Sequence, residues 1–277
     1  MDHQSGTFRG WDDLEIFYQR WRPESESLAV LLIVHGYSEH SDRYQHVAEF
    51  FVERGYAVQA MDHRGHGRSQ GTRAHVNRFS DFLADLHTFV DLVKEQERGR
   101  GIFMIGHSMG GTLATLFAEE HGDLIGGVIL SGATMLVSAG VSPVLIKLSK
   151  LLSALIPKLG LTSLDASTVS RDPEVVARYD SDTLNYRGRV RARMGAELLQ
   201  AGEQALTGLH KITLPILIMH GSADKLADPQ GSRLIYEGVS STDKTLKIYD
   251  GLYHEIFNEP EKAQVLTDVA GWLSERA

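Results

Sequence analysis

Five consecutive residues, Gly106-His107-Ser108-Met109-Gly110, constrain this chain more than any other stretch. An apolar run, Ile102-Phe103-Met104-Ile105, leads in, and a helix-like run from Thr112 to Ala118 leads out. Strand, tight turn and helix in that order form the setting in which a G-x-S-x-G serine stands clear of a strained backbone. The turn crowds its flanks, so Gly106 and Gly110 supply the small residues it requires. The helix that starts there points unpaired N–H groups and the positive end of its dipole at any negative charge that develops. The pattern predicts a nucleophilic Ser108. The bland alternative is a serine in a glycine-rich turn.

Short apolar runs alternate with helical stretches through most of the 277 residues. Thr7–Arg9 and Leu14–Trp21 read as an antiparallel opening. Strands are expected at Leu28–Val34, Ala57–Met61, Ile102–Ile105, Leu124–Leu130, Ile216–Met219 and Thr245–Tyr249. Helices are expected at Tyr44–Arg54, closed by Gly55, at Phe79–Glu97, and at Pro260–Glu275 with proline in its first turn. This alternation implies an α/β fold, a mostly parallel sheet covered by helices on both faces.

The alternation stops between about Thr134 and Ile212, where no strand is convincing. Residues 1–133 and 212–277 therefore read as one core, and 134–211 as a helical cap inserted between two core strands. Within it Leu145, Leu148, Leu151, Leu152 and Leu155 fall on one helical stripe, with Lys147, Lys150 and Ser153 facing away. Pro157 should end or kink that helix. The stripe either packs on the core or forms the face of a lid that meets lipid. Leu148 and Leu152 are its candidates for acyl contact.

A formal charge of −8 argues against nucleic acid and against an anionic membrane as electrostatic partners. The absence of cysteine excludes disulfides, a thiolate nucleophile and cysteine-ligated metal. The N-terminus lacks the apolar core of a signal peptide, and the early run Leu28–Val34 is too short to span a bilayer. A cytoplasmic or peripherally membrane-associated protein is expected.

A serine hydroxyl needs a base, and the base needs an orienting acid. For an elbow serine the chain order is serine, acid, histidine. The strand Ile216–Met219 runs into His220-Gly221-Ser222-Ala223-Asp224, which places Asp224 as the acid. Asp228 is the rival, but Asp228-Pro229 looks like a helix N-cap followed by proline. His254 follows the last strand and is the only histidine after His220, so it is the expected base. An oxyanion hole needs two backbone donors: the N–H of Met109, and one from the loop His35-Gly36-Tyr37-Ser38, best supplied by Tyr37. His107 reads as a wall of the pocket. His35 is expected to hold its loop by hydrogen bonding. His63 and His66 resemble a metal cluster but lack an H-E-x-x-H pattern, and a loop held by polar contacts is the favoured reading. No metal or cofactor is called for.

Three blocks together resemble the monoacylglycerol lipases of the α/β-hydrolase superfamily: His35 to Tyr44, Met61 to Ser69, and Gly106 to Gly111. Ser170 to Val176 and Gly251 to Pro260 are similar to the bacterial branch, the mycobacterial enzymes especially. The resemblance covers the whole chain, cap included. It implies cofactor-free hydrolysis of monoacylglycerols to glycerol and fatty acid under a mobile apolar cap. It carries catalytic roles to Ser108, Asp224 and His254, and oxyanion roles to Tyr37 and Met109. It also places Glu39 and Arg43 at the polar end of the pocket, with Tyr179 a further candidate from the cap. A structural ion pair fixing the oxyanion loop is the alternative for Glu39 and Arg43. One departure is Tyr37, at a position smaller or aliphatic in many members, where the ring is expected to narrow or polarise the acyl pocket.

The implied partner is a small lipid ester, with transient contact between cap and lipid aggregates. Competing readings on the same scaffold are a broader carboxylesterase or lysophospholipase, a carbon–carbon bond hydrolase, and a non-catalytic ligand receptor.

Overall fold

The structure is a computed structural model that describes residues 1–136 and 152–277. Its strands are β1 (Asp2–Arg9), β2 (Glu15–Arg22), β3 (Val30–Val34), β4 (Ala57–Met61), β5 (Ile102–His107), β6 (Gly127–Ser131), β7 (Gly160–Thr162), β8 (Val190–Arg191), β9 (Ile216–Gly221) and β10 (Lys244–Tyr249). Eight form one sheet in the order β1-β2-β4-β3-β5-β6-β9-β10. β1 and β2 are antiparallel, and β2 runs antiparallel to β4; from β4 onward every neighbouring pair is parallel. This is the α/β-hydrolase fold.

A parallel strand covered on both faces must be apolar throughout. β3 is Val-Leu-Leu-Ile-Val and wholly buried. Val30, Leu32 and Val34 join one core cluster, and Leu31 and Ile33 join the other. The first cluster is roofed by helices Ser80–Gln96 and Met109–His121, through side chains such as Phe82, Phe89 and Phe117. The second is roofed by helices Gln45–Val52 and Lys262–Ser274, through Phe51, Val265 and Trp272. Each fully buried phenylalanine is worth about 1.5–3 kcal/mol relative to exposure.

Element boundaries shift modestly from the expected ones. β1 extends back to Asp2, and its register pairs Thr7 with Phe17. The 124–130 run begins as a short 3-10 turn, Gly122–Leu124, before β6 starts at Gly127. The closing helix begins at Lys262, so Pro260 lies in the preceding turn instead of the helix.

Two expectations for the insert need correction. It contains a strand pair: β7 and β8 form a two-stranded antiparallel ribbon. Strands this short carry too few residues to show alternation. The stripe helix is described only over 152–155 and ends before Pro157. There Ser153, assigned to the outer face, is buried, while Leu155 is 70% exposed. Leu145, Leu148 and Leu151 lie outside the described residues. Among those described, no helix is long and apolar enough to cross a membrane.

The elbow is set by close backbone approach. Ser108 adopts φ 55° and ψ −120°, a strained conformation for a residue with a Cβ. A Cβ on Gly110 would lie 2.0 Å from the Val34 carbonyl oxygen, and one on Gly106 2.5 Å from the Gly110 carbonyl oxygen. The start of the Met109–His121 helix is thus pressed directly onto the ends of β3 and β5. We expect Gly110→Ala to destabilise the fold by about 2–4 kcal/mol in urea unfolding, because the obstacle is backbone and cannot rotate away. A change under 0.5 kcal/mol would refute the close approach.

Candidate active site

Four loops meet at the C-terminal ends of the parallel strands. They follow β3, β5, β9 and β10, and they carry Tyr37, Ser108, Asp224 and His254. The chain crosses from β3 to β4 on one side and returns to β5 on the other, so the site sits at the point where strand order reverses.

The predicted triad is brought together. His254 Nε2 lies 2.8 Å from Ser108 Oγ, and His254 Nδ1 lies 2.7 Å from Asp224 Oδ2. The other oxygen of Asp224 accepts the backbone N–H groups of Leu226 and Ala227 at 2.8 and 3.0 Å. Asp228 does the other job expected of it: it caps the Pro229–Gly238 helix by accepting the Gln230 N–H at 2.9 Å. Burial works against a charged Asp224, yet His254 and His220 outweigh it and hold the carboxyl well below the usual carboxylate range. Burial likewise opposes a charged His254, but Asp224 dominates and raises its pKa above the ordinary histidine value. The imidazole is therefore raised in basicity as well as aligned with the Ser108 hydroxyl.

The two expected oxyanion donors are available. Neither the Tyr37 N–H nor the Met109 N–H is engaged by another described residue. Gly36 abuts the nucleophile: a Cβ there would lie 3.0 Å from Ser108 Cβ. Such a constellation can generate an alkoxide equivalent at Ser108, receive negative charge on an attacked carbonyl, and return a proton to a leaving group.

A family model described as serine aminopeptidase, S33, of the Hydrolase_4 family, matches residues 25–261. The chain is 40% identical to the monoacylglycerol lipase of Mycolicibacterium smegmatis, across 96% of this chain and 95% of that one. It is 36% identical to human monoglyceride lipase, across 96% and 88%. The crystal structure of Paleococcus ferrophilus monoacylglycerol lipase superposes with a TM-score of 0.87 at 30% identity, covering 95% of this chain and all of that one. The chain belongs to the monoacylglycerol lipase family.

The residues that the family resemblance placed at the polar end occupy a buried ionic brace. Glu39 accepts the Gly36 N–H at 2.6 Å, the Tyr44 hydroxyl at 2.8 Å and Arg43 Nη1 at 2.8 Å. Arg43 also grips Glu255 with two bonds of 2.6 Å. Burial opposes ionisation of Glu255, but Arg43 pulls its pKa down to about 2. The pair makes the ion pair expected under the alternative for Glu39 and Arg43, extended by a third residue that local spacing could not reveal, while Glu39 also faces the cavity. Glu255 lies 212 positions from Arg43, and its one sequence signal is adjacency to His254.

In this monoacylglycerol lipase relative, a cavity of about 620 Å³ opens at Ser108. Glu39, Glu255, Tyr37, Tyr179 and His107 line it, together with apolar side chains such as Met109, Leu161, Leu164, Leu198 and Leu226. Arg43 is not among the lining residues; it lies behind the wall with its guanidinium 4.8 Å from the centre of the Tyr179 ring. Leu152 does not reach the cavity, and Leu148 lies outside the described residues. The Tyr37 hydroxyl donates to the Ala74 carbonyl at 3.3 Å, so its ring is a fixed wall. Thr134, which sequence reasoning missed, has its hydroxyl 3.2 Å from Ser108 Oγ.

The histidine-rich loops follow the polar-contact reading. His35 Nδ1 donates to the Gly36 carbonyl, its Nε2 accepts the His63 N–H, and His63 Nε2 donates back to the His35 carbonyl. Among the described residues no group of three or more metal-ligating side chains could hold an ion. Burial and mutual repulsion push His63 down to about 3; burial lowers His66 to about 4, and burial with His254 nearby lowers His107 to about 4.

Two predictions follow from these charges. A histidine whose folded pKa is depressed adds stability above its unfolded value near 6.5 and loses it as pH falls toward the folded pKa. Acidification from pH 6.5 to about 5 should therefore lower Tm by calorimetry, before most carboxylates titrate; a flat Tm over that window would contradict it. Arg43→Met should destabilise the protein by about 3–5 kcal/mol, since it strands Glu39 and Glu255 without a counter-charge. Chemical denaturation measures this, and a loss below 1 kcal/mol would show the brace to be dispensable.

Proposed function

We propose that this chain is a serine hydrolase that cleaves monoacylglycerols to glycerol and free fatty acid through an acyl-enzyme. The observation that carries the reading is the 2.8 Å contact of His254 Nε2 with Ser108 Oγ at the head of an apolar cavity. The kinship to monoacylglycerol lipases along nearly the whole chain supports the substrate class.

In this reading His254 removes the Ser108 proton as Oγ attacks the ester carbonyl. The tetrahedral oxyanion is received by the N–H groups of Tyr37 and Met109. His254 then gives its proton to the glycerol oxygen as the C–O bond breaks. Water, deprotonated by the same imidazole, attacks the acyl-enzyme; the fatty acid leaves and Ser108 regains its proton. Asp224 holds the imidazole with Nδ1–H toward the carboxylate.

We place the acyl chain in the apolar part of the cavity and the glycerol near Glu39, Glu255 and Tyr179. Residues 134–211 act as the cap. Leu155, Ile156, Leu159 and Leu164 are exposed on it, which supports transient contact with lipid aggregates by a cytoplasmic or peripherally membrane-associated protein. One observation favours a broader carboxylesterase as the second reading: the Glu39 carboxylate already serves three donors, which limits what it can offer glycerol hydroxyls.

The test is a substrate panel on wild type and Ser108→Ala. A long-chain monoacylglycerol should exceed the ethyl ester of the same acid and the matching lysophospholipid in kcat/KM. Ser108→Ala should lower kcat by ~10⁴ to ~10⁶ on each. Equal turnover of monoacylglycerol and ethyl ester would select the broader esterase. Turnover that survives Ser108→Ala would remove the mechanism.

A further inference from the structure

Asp224 Oδ2 serves two imidazoles. His254 Nδ1 stands 2.7 Å from it and His220 Nε2 stands 3.0 Å from it. His220 is fully buried at the end of β9, and its Nδ1 lies 2.7 Å from the hydroxyl of buried Ser232 on the Pro229–Gly238 helix. A carboxylate only accepts, so His220 must carry its proton on Nε2, and Ser232 then donates to Nδ1. The continuous chain reads Ser232, His220, Asp224, His254, Ser108. Nothing in the acyl-transfer mechanism above uses its first two members.

We propose that His220, oriented by Ser232, is a positioning residue that sets the basicity of His254 through Asp224. This inference rests on reading Ser108, His254 and Asp224 as the triad. By donating to Oδ2, His220 draws off part of the charge that the carboxylate would otherwise direct at His254. It also fixes the carboxylate plane, so that the oxygen facing His254 cannot rotate away. Ser232 polarises the imidazole and makes Nε2–H the stronger donor. The sign follows: without His220 the carboxylate faces His254 with more charge, the imidazolium is favoured, and His254 holds its proton to higher pH. The other titratable or charged groups around His254 are His107 on β5, Glu39 of the oxyanion loop and its chain neighbour Glu255, the last two paired with Arg43. None of them contacts His220 or Ser232, so substitutions there leave these groups in place.

The experiment measures the pH dependence of the rate at which a fluorophosphonate phosphonylates Ser108, with fluoride leaving, in wild type, His220→Leu, His220→Gln and Ser232→Ala. Its acidic limb reports His254. His220→Leu should move that limb upward by roughly one pH unit and slow the reaction at pH 7 by ~10-fold. His220→Gln can present an amide N–H where Nε2 stood and should return the limb toward wild type. Ser232→Ala should move it in the same direction as His220→Leu but by less. A burial role alone would lower Tm without moving the limb. An unmoved limb in His220→Leu, or a displacement that His220→Gln fails to reverse, overturns the proposal. If His220→Leu does not fold, Ser232→Ala decides by the same criterion. A wild-type enzyme whose Ser108 is not labelled at any pH would overturn the triad reading, and this inference with it.

Discussion

The molecule is organised by one close backbone approach, that of the Met109–His121 helix to the ends of β3 and β5. With no side chain at Gly106, Gly110 or Gly111, the helix start drops onto the sheet until Gly110 lies against the Val34 and His35 carbonyls. That contact forces Ser108 into positive φ and brings the Met109 N–H beside the loop that carries Tyr37. The placement of the Ser108 hydroxyl and that of the Met109 N–H, which no other described residue engages, thus share one geometric cause. A strained backbone persists only where its surroundings over-determine it. Here the surroundings include the Ser108 carbonyl, which accepts N–H groups from Gly111, Thr112 and Thr134.

Electrostatics completes what packing begins. Charged groups lie buried within a few ångströms of the reacting atoms, and each has an identified counterpart. Asp224 is held ionised by two imidazoles and two backbone donors, and Glu39 and Glu255 are held by one guanidinium. The brace links the β3 loop to the β10 loop, so the loops that carry Tyr37 and His254 are tied by charge as well as by the sheet. Such networks are expensive to break singly, because each removal leaves a buried partner without compensation.

Much of this was legible in the sequence because it is local or ordered along the chain. The elbow is a contiguous pattern, the sheet shows itself as alternating apolar runs, the chain order of serine, acid and base points to the loop after β9, and the cap-like Asp228-Pro229 pair leaves Asp224 there as the acid. What escaped is non-local. The grip of Arg43 on Glu255 joins residues 212 positions apart, which no spacing rule encodes; His220 and Asp224 are only four apart, but their sharing of one carboxylate oxygen with His254 depends on the loop after the last strand. The β7–β8 ribbon escaped because two or three residues cannot show a period. The leucine stripe of the insert misled where it could be compared: Ser153 is buried and Leu155 exposed, since amphipathic spacing tells which residues share a face and not which side that face meets.

The insert also reaches the loop that carries Tyr37. The Tyr186 N–H donates to the Ser38 carbonyl at 2.9 Å, Asp182 meets His40 Nε2 at 2.9 Å, and Arg73 reaches the Leu184 carbonyl. Ser38 itself sits at φ 69°. The segment whose Leu161, Leu164 and Tyr179 line the cavity is therefore also a scaffold for the loop that carries Tyr37. A trimmed version of this fold, shorn of residues 134–211, would shed more than its grip on long chains. It would release Ser38 from its partner and let the loop relax, and on the proposed role of the Tyr37 N–H it would forfeit rate even on acetate esters.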